Sequence, residues 1–240
     1  MSLAAQVMFV LFFVWTFIGM PLGYAMLASG IVYFLISGAD MGLVASQSLN
    51  GIYGNFVMLA VPLFIFAAEL MNAGEMTDKM FGFANLLVGR VRGGLAHVNI
   101  IASVIFAGMS GSALADAAGP GKISIDMMIK AGYRPGFAGA LTSTSAILGP
   151  IIPPSIPMVL YGVVTNTSIG YLFLGGVGPG LFMAAVMMAV VAVQARLQDF
   201  PIQPKPTRSE AIGVIRDAAP TLLLPVILLG GIYTGAVTPT

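Results

Sequence analysis

Residues 94–121 read GLAHVNIIASVIFAGMSGSALADAAGPG, an apolar stretch with Met109-Ser110-Gly111-Ser112 set in its middle. Basic residues bound it on both sides: Lys79, Arg90 and Arg92 before it, Lys122, Lys130 and Arg134 after it. Short cytoplasmic loops of membrane proteins collect Lys and Arg. If both groups lie on the cytoplasmic side, the stretch must enter the membrane and leave by the same face. The glycine between two serines supplies the reversal, because glycine tolerates the dihedrals of a tight turn. The reading is a re-entrant helical hairpin over 94–121, its tip near Ser110–Ser112. A kinked spanning helix is the competing reading, and it puts the two basic groups on opposite faces.

Composition supports the membrane setting. Of 240 residues, 58% are hydrophobic and 8% are charged, against about 25% charged in a soluble domain. The runs Leu3–Ile18 and Leu22–Ile36 approach the ~20 apolar residues that a spanning helix needs. Thirty glycines and fifteen prolines fall largely inside such runs, as is common in membrane helices. No Lys or Arg precedes Lys79, so the first run reads as a retained helix rather than a cleaved signal peptide.

Whole classes of function drop out. The absence of cysteine removes disulfides, thiolate metal sites and cysteine nucleophiles. A single histidine, with no His-Glu-x-x-His and no nucleotide-binding glycine loop, leaves little for an enzyme. Gly119-Pro-Gly-Lys122 imitates part of a phosphate loop but lacks its glycine spacing and its following Ser or Thr. The net charge of +1, with no basic stripe, gives no footing for nucleic acid.

The ten positive charges fall in segments 79–92, 122–134 and 196–216, which places all three inside. The remaining topology follows: spans at Leu3–Ile18, Leu22–Ile36 and Phe56–Met71, then an interfacial helix over Glu75–Arg92. Residues 135–164 cross outward, 171–195 cross back and 218–233 cross outward again. The amino terminus and the loops 37–55 and 165–170, which lack positive charge, face outward. Residues 198–210, with Pro201, Pro204 and Pro206, form a polar inner connection.

The fold class is therefore all-α and integral to the membrane. Residues 1–92 hold the first spans and the interfacial helix, and 93–168 hold the hairpin and the crossing that follows it. Residues 169–217 give a helix and a cytoplasmic connection, and 218–240 begin a second repeat. The closing Thr238-Pro239-Thr240 directly follows an apolar span, and Ile232-Tyr233-Thr234-Gly235 echoes Ile105-Phe106-Ala107-Gly108. A truncated sequence is expected.

A second break, Thr142-Ser-Thr-Ser-Ala-Ile-Leu-Gly149-Pro150-Ile-Ile-Pro153-Pro154-Ser155, lies in the 135–164 crossing. Pro150 and Pro153 interrupt any helix there. Irregular backbone at membrane depth is tolerated only where it is buried in protein or lines a cavity. The carbonyls of Gly149, Pro150, Ile151 and Ile152, with the hydroxyls of Ser110, Ser112, Ser143 and Ser145, are hard oxygen ligands for a dehydrated alkali cation. Half-helices starting after Ser112 and Ser155 present free N–H groups, which suit a carboxylate-bearing substrate. The plainer reading is that Gly and Pro merely kink packed helices.

Secondary candidates are Asp116, which either caps a half-helix or lines the site, and Glu69, expected at the interface near Lys79. His97 is expected to be structural, Asn99 to hydrogen-bond between helices, and Trp15 to mark an interface.

The motifs Gly108-Met-Ser-Gly-Ser-Ala-Leu-Ala-Asp-Ala-Ala-Gly119 and Gly149-Pro-Ile-Ile-Pro-Pro-Ser155 resemble the paired signatures of the large permease subunit of TRAP transporters, the DctM-like proteins. The terminal Gly235-Ala-Val-Thr-Pro-Thr240 resembles the tip of that family's second hairpin. The resemblance implies an elevator fold, in which a domain with two re-entrant hairpins moves against a scaffold. It implies sodium-coupled import of small organic acids such as dicarboxylates or sialic acid. It also implies a periplasmic substrate-binding protein and a small four-helix membrane subunit as partners, in the bacterial inner membrane. By position, Ser110, Ser112, Gly149, Ile152 and Pro153 would hold sodium, and Ser112, Ala113 and Ser155 would meet the substrate. The family's large subunit is roughly twice as long as this chain, so the chain alone is not expected to transport. Other readings are a citrate-like elevator transporter, and a passive channel or structural membrane subunit.

The charge argument yields a direct test, since the chain has no cysteine to remove. Single Arg90→Cys and Lys130→Cys variants should react with an impermeant thiol reagent from the same side of the membrane. Labelling from opposite sides would turn the stretch between them into an ordinary crossing.

Overall fold

A computed structural model describes residues 2–54, 59–73, 76–198, 200 and 208–237. Every regular element among them is an α-helix. The chain divides into two compact units, Met1–Phe56 and Val57–Thr240.

The first unit holds α1 (Leu3–Phe17), α2 (Leu22–Ser37) and α3 (Gly42–Tyr53). Ser2 caps α1, its hydroxyl accepting from the Ala5 N–H at 3.4 Å, and Gly38 ends α2 in the left-handed region. Among its described residues Ala4, Ala25 and Ser29 are buried, small residues of the kind that let membrane helices approach closely. Phe13, Phe17, Leu22 and Leu35 are exposed, as suits an apolar surround. The expected loop over 37–55 is corrected here, because it contains α3. Asp40 starts that helix by accepting from the Gly42 N–H at 2.9 Å. A search for long apolar runs passes over a twelve-residue helix carrying Ser46, Gln47 and Asn50.

The second unit contains α4 (Ala60–Ala73), α5 (Met76–Val88), α6 (Gly94–Ser110), α7 (Ala113–Ala118) and α8 (Pro120–Lys130). It continues with α9 (Pro135–Ala146), α10 (Ile156–Thr165), α11 (Ile169–Leu197) and α12 (Arg208–Thr234). The expected span Phe56–Met71 appears as α4, with Phe56 outside the described residues, as is Glu75 of the expected interfacial helix. The polar connection is shorter than expected, since α12 already begins at Arg208; residues 201–207 lie outside the description.

Helix α6 is the axis of this unit, buried from Leu95 to Ile100 and again from Phe106 to Ser110. The chain doubles back after it. Asn99 on α6 reaches the Met128 sulfur on α8 at 3.7 Å. The Tyr133 hydroxyl is buried near Leu95 and Ala96 at the start of α6, without a hydrogen-bond partner. Burial pushes the Tyr133 pKa up to about 12. The return arm does not stop at Gly121 as the apolar pattern suggests. It breaks at Gly119 (φ −87°, ψ −96°) and resumes with Pro120 as the first residue of α8, where a missing N–H costs nothing.

A buried polar ladder ties α6 to α9. The Asn99 amide donates to Thr142 Oγ1 at 2.7 Å, and Ser103 donates to Ser145 Oγ at 2.9 Å. The single Ser145 proton faces both Asn99 Oδ1 at 3.3 Å and the Thr142 carbonyl at 3.1 Å. Around it an apolar core joins Leu95, Ile100, Met128, Leu148, Ile152 and Val191. On the other side of α6, Phe81 of α5 meets Phe106 with ring centroids 5.9 Å apart. Phe200, beyond α11, rests on Tyr133 and Phe137 at 4.8 and 5.0 Å. Among the described residues, Ile169–Leu197 and Ser209–Thr234 are long and apolar enough to cross a bilayer.

Asn99→Leu should strip Thr142 of its donor and Ser145 of its side-chain acceptor, a loss of about 1–3 kcal/mol for buried groups left unpaired. Thermal unfolding in detergent should show a midpoint several degrees lower. An unchanged midpoint would mean that the ladder contributes nothing.

Candidate functional site

The two breaks are built alike. Helix α6 ends at Ser110, Gly111 takes a left-handed conformation (φ +59°, ψ 13°), and Ser112 is extended (φ −133°, ψ 117°). The Ser112 hydroxyl caps α7 by accepting from the Ala115 N–H at 3.4 Å. In the second break α9 ends at Ala146, and turns carry the chain to Ser155, extended at φ −127°, ψ 122°. Ser155 caps α10 by accepting from the Met158 N–H at 3.3 Å. The half-helix starts expected after Ser112 and Ser155 are present, though in each the serine already satisfies one N–H.

The two breaks interlock through glycines. A Cβ on Gly111 would stand 2.7 Å from the Pro154 carbonyl oxygen and 3.0 Å from the Ile156 nitrogen. A Cβ on Gly149 would stand 2.7 Å from Asp116 Oδ2, 3.2 Å from the Ser112 carbonyl carbon and 3.3 Å from the Ala113 nitrogen. Only a hydrogen fits at either place, so the hairpin tip lies directly on the proline-rich segment.

Asp116 is the acidic side chain at this junction. It is 4% exposed, and its Oδ1 accepts from the Ser110 hydroxyl at 2.5 Å. Its Oδ2 is buried without a hydrogen-bond partner. Ser110 spends its one proton on Asp116 and accepts from the Ser112 N–H at 3.3 Å. The oxygen of Ser110 is thereby fixed as an acceptor. A buried ionised carboxylate left unpaired is costly, and a cation at Oδ2 would relieve that cost.

The structure also sorts the released carbonyls. Pro150 already accepts from the Ser155 hydroxyl at 2.6 Å. The Ile151 carbonyl is turned against Gly176 of α11. Gly149 faces the hairpin tip, and the Pro153 carbonyl lies 4.0 Å from the place of a Cβ on Gly108, two residues before Ser110. Ile152 is 8% exposed, and its side chain fills the place beside Gly180. Of the sodium candidates, Ser110, Ser112 and Gly149 are brought together, with Pro153 alongside. Of the substrate candidates, Ser112 and Ala113 border Gly149, and Ser155 borders Gly111 with its Cα 3.1 Å from the place of a Cβ there.

Two expected ligands fall away. Ser143 is exposed, and Ser145 is committed to the ladder with Asn99, so neither is grouped with Ser110 and Ser112. His97 is buried with Nδ1 3.0 Å from the Gly93 carbonyl, in keeping with a structural role. Glu69 is exposed near the end of α4, and Trp15 is half-buried in the first unit. The sequence left Asp116 open between capping a half-helix and lining the site; the structure buries it at the junction, bonded to Ser110. Sequence reasoning passed over Ser103 altogether, which nothing in its local sequence marks. Among the described residues no three or more His, Cys, Asp or Glu converge on a metal site. The donors at the breaks are instead a carboxylate, hydroxyls and carbonyls, a set that suits a small hard cation.

The site is thus a junction of two interlocked helix breaks in an all-helical, largely apolar chain. The chain belongs to the family described as the tripartite ATP-independent periplasmic transporter, DctM component, which it matches over residues 9–240. It is 44% identical over 225 residues to the sialic acid TRAP transporter large permease protein SiaM of Vibrio cholerae, covering 93% of this chain and 52% of that one. It is 38% identical to the C4-dicarboxylate TRAP transporter large permease protein DctM of the same species, covering 99% and 53%. The 2,3-diketo-L-gulonate TRAP transporter large permease protein YiaN of Escherichia coli is also 38% identical, at 93% and 52% coverage. The chain thus spans about half the length of these relatives. Their naming as permeases agrees with the non-enzymatic reading of the sequence.

Gly111→Ala and Gly132→Ala separate contact from conformation. Both force a side chain onto positive φ, but a Cβ at Gly132 meets nothing within 4 Å. Each should lose about 1–2 kcal/mol to the left-handed backbone, and Gly111→Ala should lose clearly more through the Pro154 carbonyl. Equal shifts in unfolding midpoint would show that the tip is not seated as described.

Proposed function

We propose that this chain is part of the large permease subunit of a sodium-coupled secondary transporter in a bacterial inner membrane. It would import small organic acids delivered by a periplasmic substrate-binding protein, with a small four-helix membrane subunit beside it. The observation that carries this reading is the free Asp116 Oδ2, buried against Gly149 at the meeting of the two breaks. The names of the relatives point to acids as the cargo, and the amino-terminal end of α10 is a natural place for a carboxylate.

Coupling follows from charge. With the site empty, the carboxylate of Asp116 repels an anionic substrate at the neighbouring helix starts. Sodium bound between Ser110, Ser112 and the carbonyls of Gly149, Ile152 and Pro153 cancels that charge and holds the hairpin tip on the broken segment. The α7 and α10 starts, with Ser112, Ala113 and Ser155, then favour the anion. A ligand shifts a conformational equilibrium only through unequal affinity for its states, and this arrangement makes each ligand raise the affinity of the other. In this reading 94–121 is re-entrant, the amino terminus is periplasmic, and the hairpin and broken helix move as an elevator against the scaffold helices.

Ser112→Ala, in the permease reconstituted with its partners in proteoliposomes, should raise the sodium concentration needed for half-maximal uptake by about tenfold without loss of expression. Unaltered sodium dependence would remove Ser112 from the ion site.

A further inference from the structure

The segment Gly175-Gly176-Val177-Gly178-Pro179-Gly180 lies in the first half of α11, away from both breaks in sequence. Its four glycines do not share one environment. A Cβ at Gly175 or Gly178 meets nothing within 4 Å. A Cβ at Gly176 would collide with the Ile151 carbonyl oxygen and come within 2.5 Å of Met158 Cε. A Cβ at Gly180 would collide with Ile152 Cγ1. Positions four apart share a helix face, so Gly176 and Gly180 form one bare strip, which takes the Ile151 carbonyl at one glycine and the Ile152 side chain at the other. Both glycines are buried.

We infer that Gly176 and Gly180 of α11 are positioning residues for the ion site, setting which carbonyls of the broken segment face the hairpin tip. The inference rests on the sodium reading above. The Ile151 carbonyl is directed at α11 because Gly176 leaves room for it there. With the turn constrained by Pro150 and Pro153, that contact limits how the adjoining Ile152 peptide can rotate. Ile152 is held at the same time by its side chain, seated where Gly180 has none. Displacing either contact turns the Ile152 peptide without touching Ser110, Ser112 or Asp116.

The two contacts differ in kind, which separates positioning from general loss of packing. Gly180→Ala clashes with a side chain, and Ile152→Ala removes the clashing atoms while keeping the Ile152 carbonyl. Gly176→Ala clashes with a backbone oxygen that no side-chain change removes. The measurement is the unfolding midpoint of this chain in detergent, titrated with NaCl against choline chloride, since a ligand that binds only the folded state raises stability with its concentration.

The unaltered chain should show sodium-specific stabilisation. Gly176→Ala and Gly180→Ala should each raise the half-effective sodium concentration by about tenfold or more, as supporting residues of ion sites commonly do. Adding Ile152→Ala should restore most of the sodium response of Gly180→Ala but not that of Gly176→Ala. Gly175→Ala and Gly178→Ala should leave it unchanged. If Gly176→Ala does not fold, Gly180→Ala with and without Ile152→Ala still decides, and if Gly180→Ala does not fold, the sodium response of Gly176→Ala decides alone. No sodium-specific shift in the unaltered chain would overturn the sodium reading and this inference together. A normal shift that survives in Gly176→Ala or Gly180→Ala would overturn the inference alone.

Discussion

Two stretches of main chain touch here with nothing between them but glycine hydrogens. Gly111 rests on the Pro154 carbonyl and Gly149 rests against Asp116. A methyl group at either position would separate the hairpin tip from the broken segment. All other features of the site presuppose this closeness: the capping serines, the free carboxylate oxygen and the sorted carbonyls. Side-chain interactions tune such a junction, but the absence of side chains creates it.

The second unit is arranged to hold that contact still. The Asn99 ladder fastens α6 to α9, so the helix entering the first break and the helix entering the second share one polar seam. Buried polar groups in full partnership specify a single arrangement more strictly than apolar packing alone. Helix α11 presses on the far side, and α5 closes the other flank of α6 through Phe81 and Phe106. The breaks are irregular, but the helices that deliver them are not free to slide.

Much of this was legible from the residues. The serine-glycine bend, the proline-ruptured segment and the helices on either side fall where the Pro and Gly positions put them. The family resemblance named the relationship correctly. What escaped has physical causes. Helix α3 is too short and too polar to register in a search for spans. The return arm runs on through α8 because Pro120 restarts a helix as readily as it ends one, so the apolar limit at Gly121 was not a structural limit. Hydroxyl-rich Thr142–Ser145 promised ligands, yet helical periodicity turns Ser143 outward and gives Ser145 to Asn99. A one-dimensional pattern counts oxygens, but the face of the helix decides which are available. For the same reason Asp116 stood out weakly in sequence and centrally in space.

Helix α7 has six residues between the breaks at Gly111 and Gly119. A single turn and a half pays nearly the whole nucleation cost of a helix and gains almost none of the propagation that normally offsets it. Its shape is therefore borrowed, held in place by the peptides it leans on rather than by its own ladder of bonds. It also carries Asp116, so the one buried acid of the junction rides on the least self-sufficient helix in the unit. An acid and a helix that cannot stand alone coincide there, so the place of Asp116 depends on the peptides packed around α7.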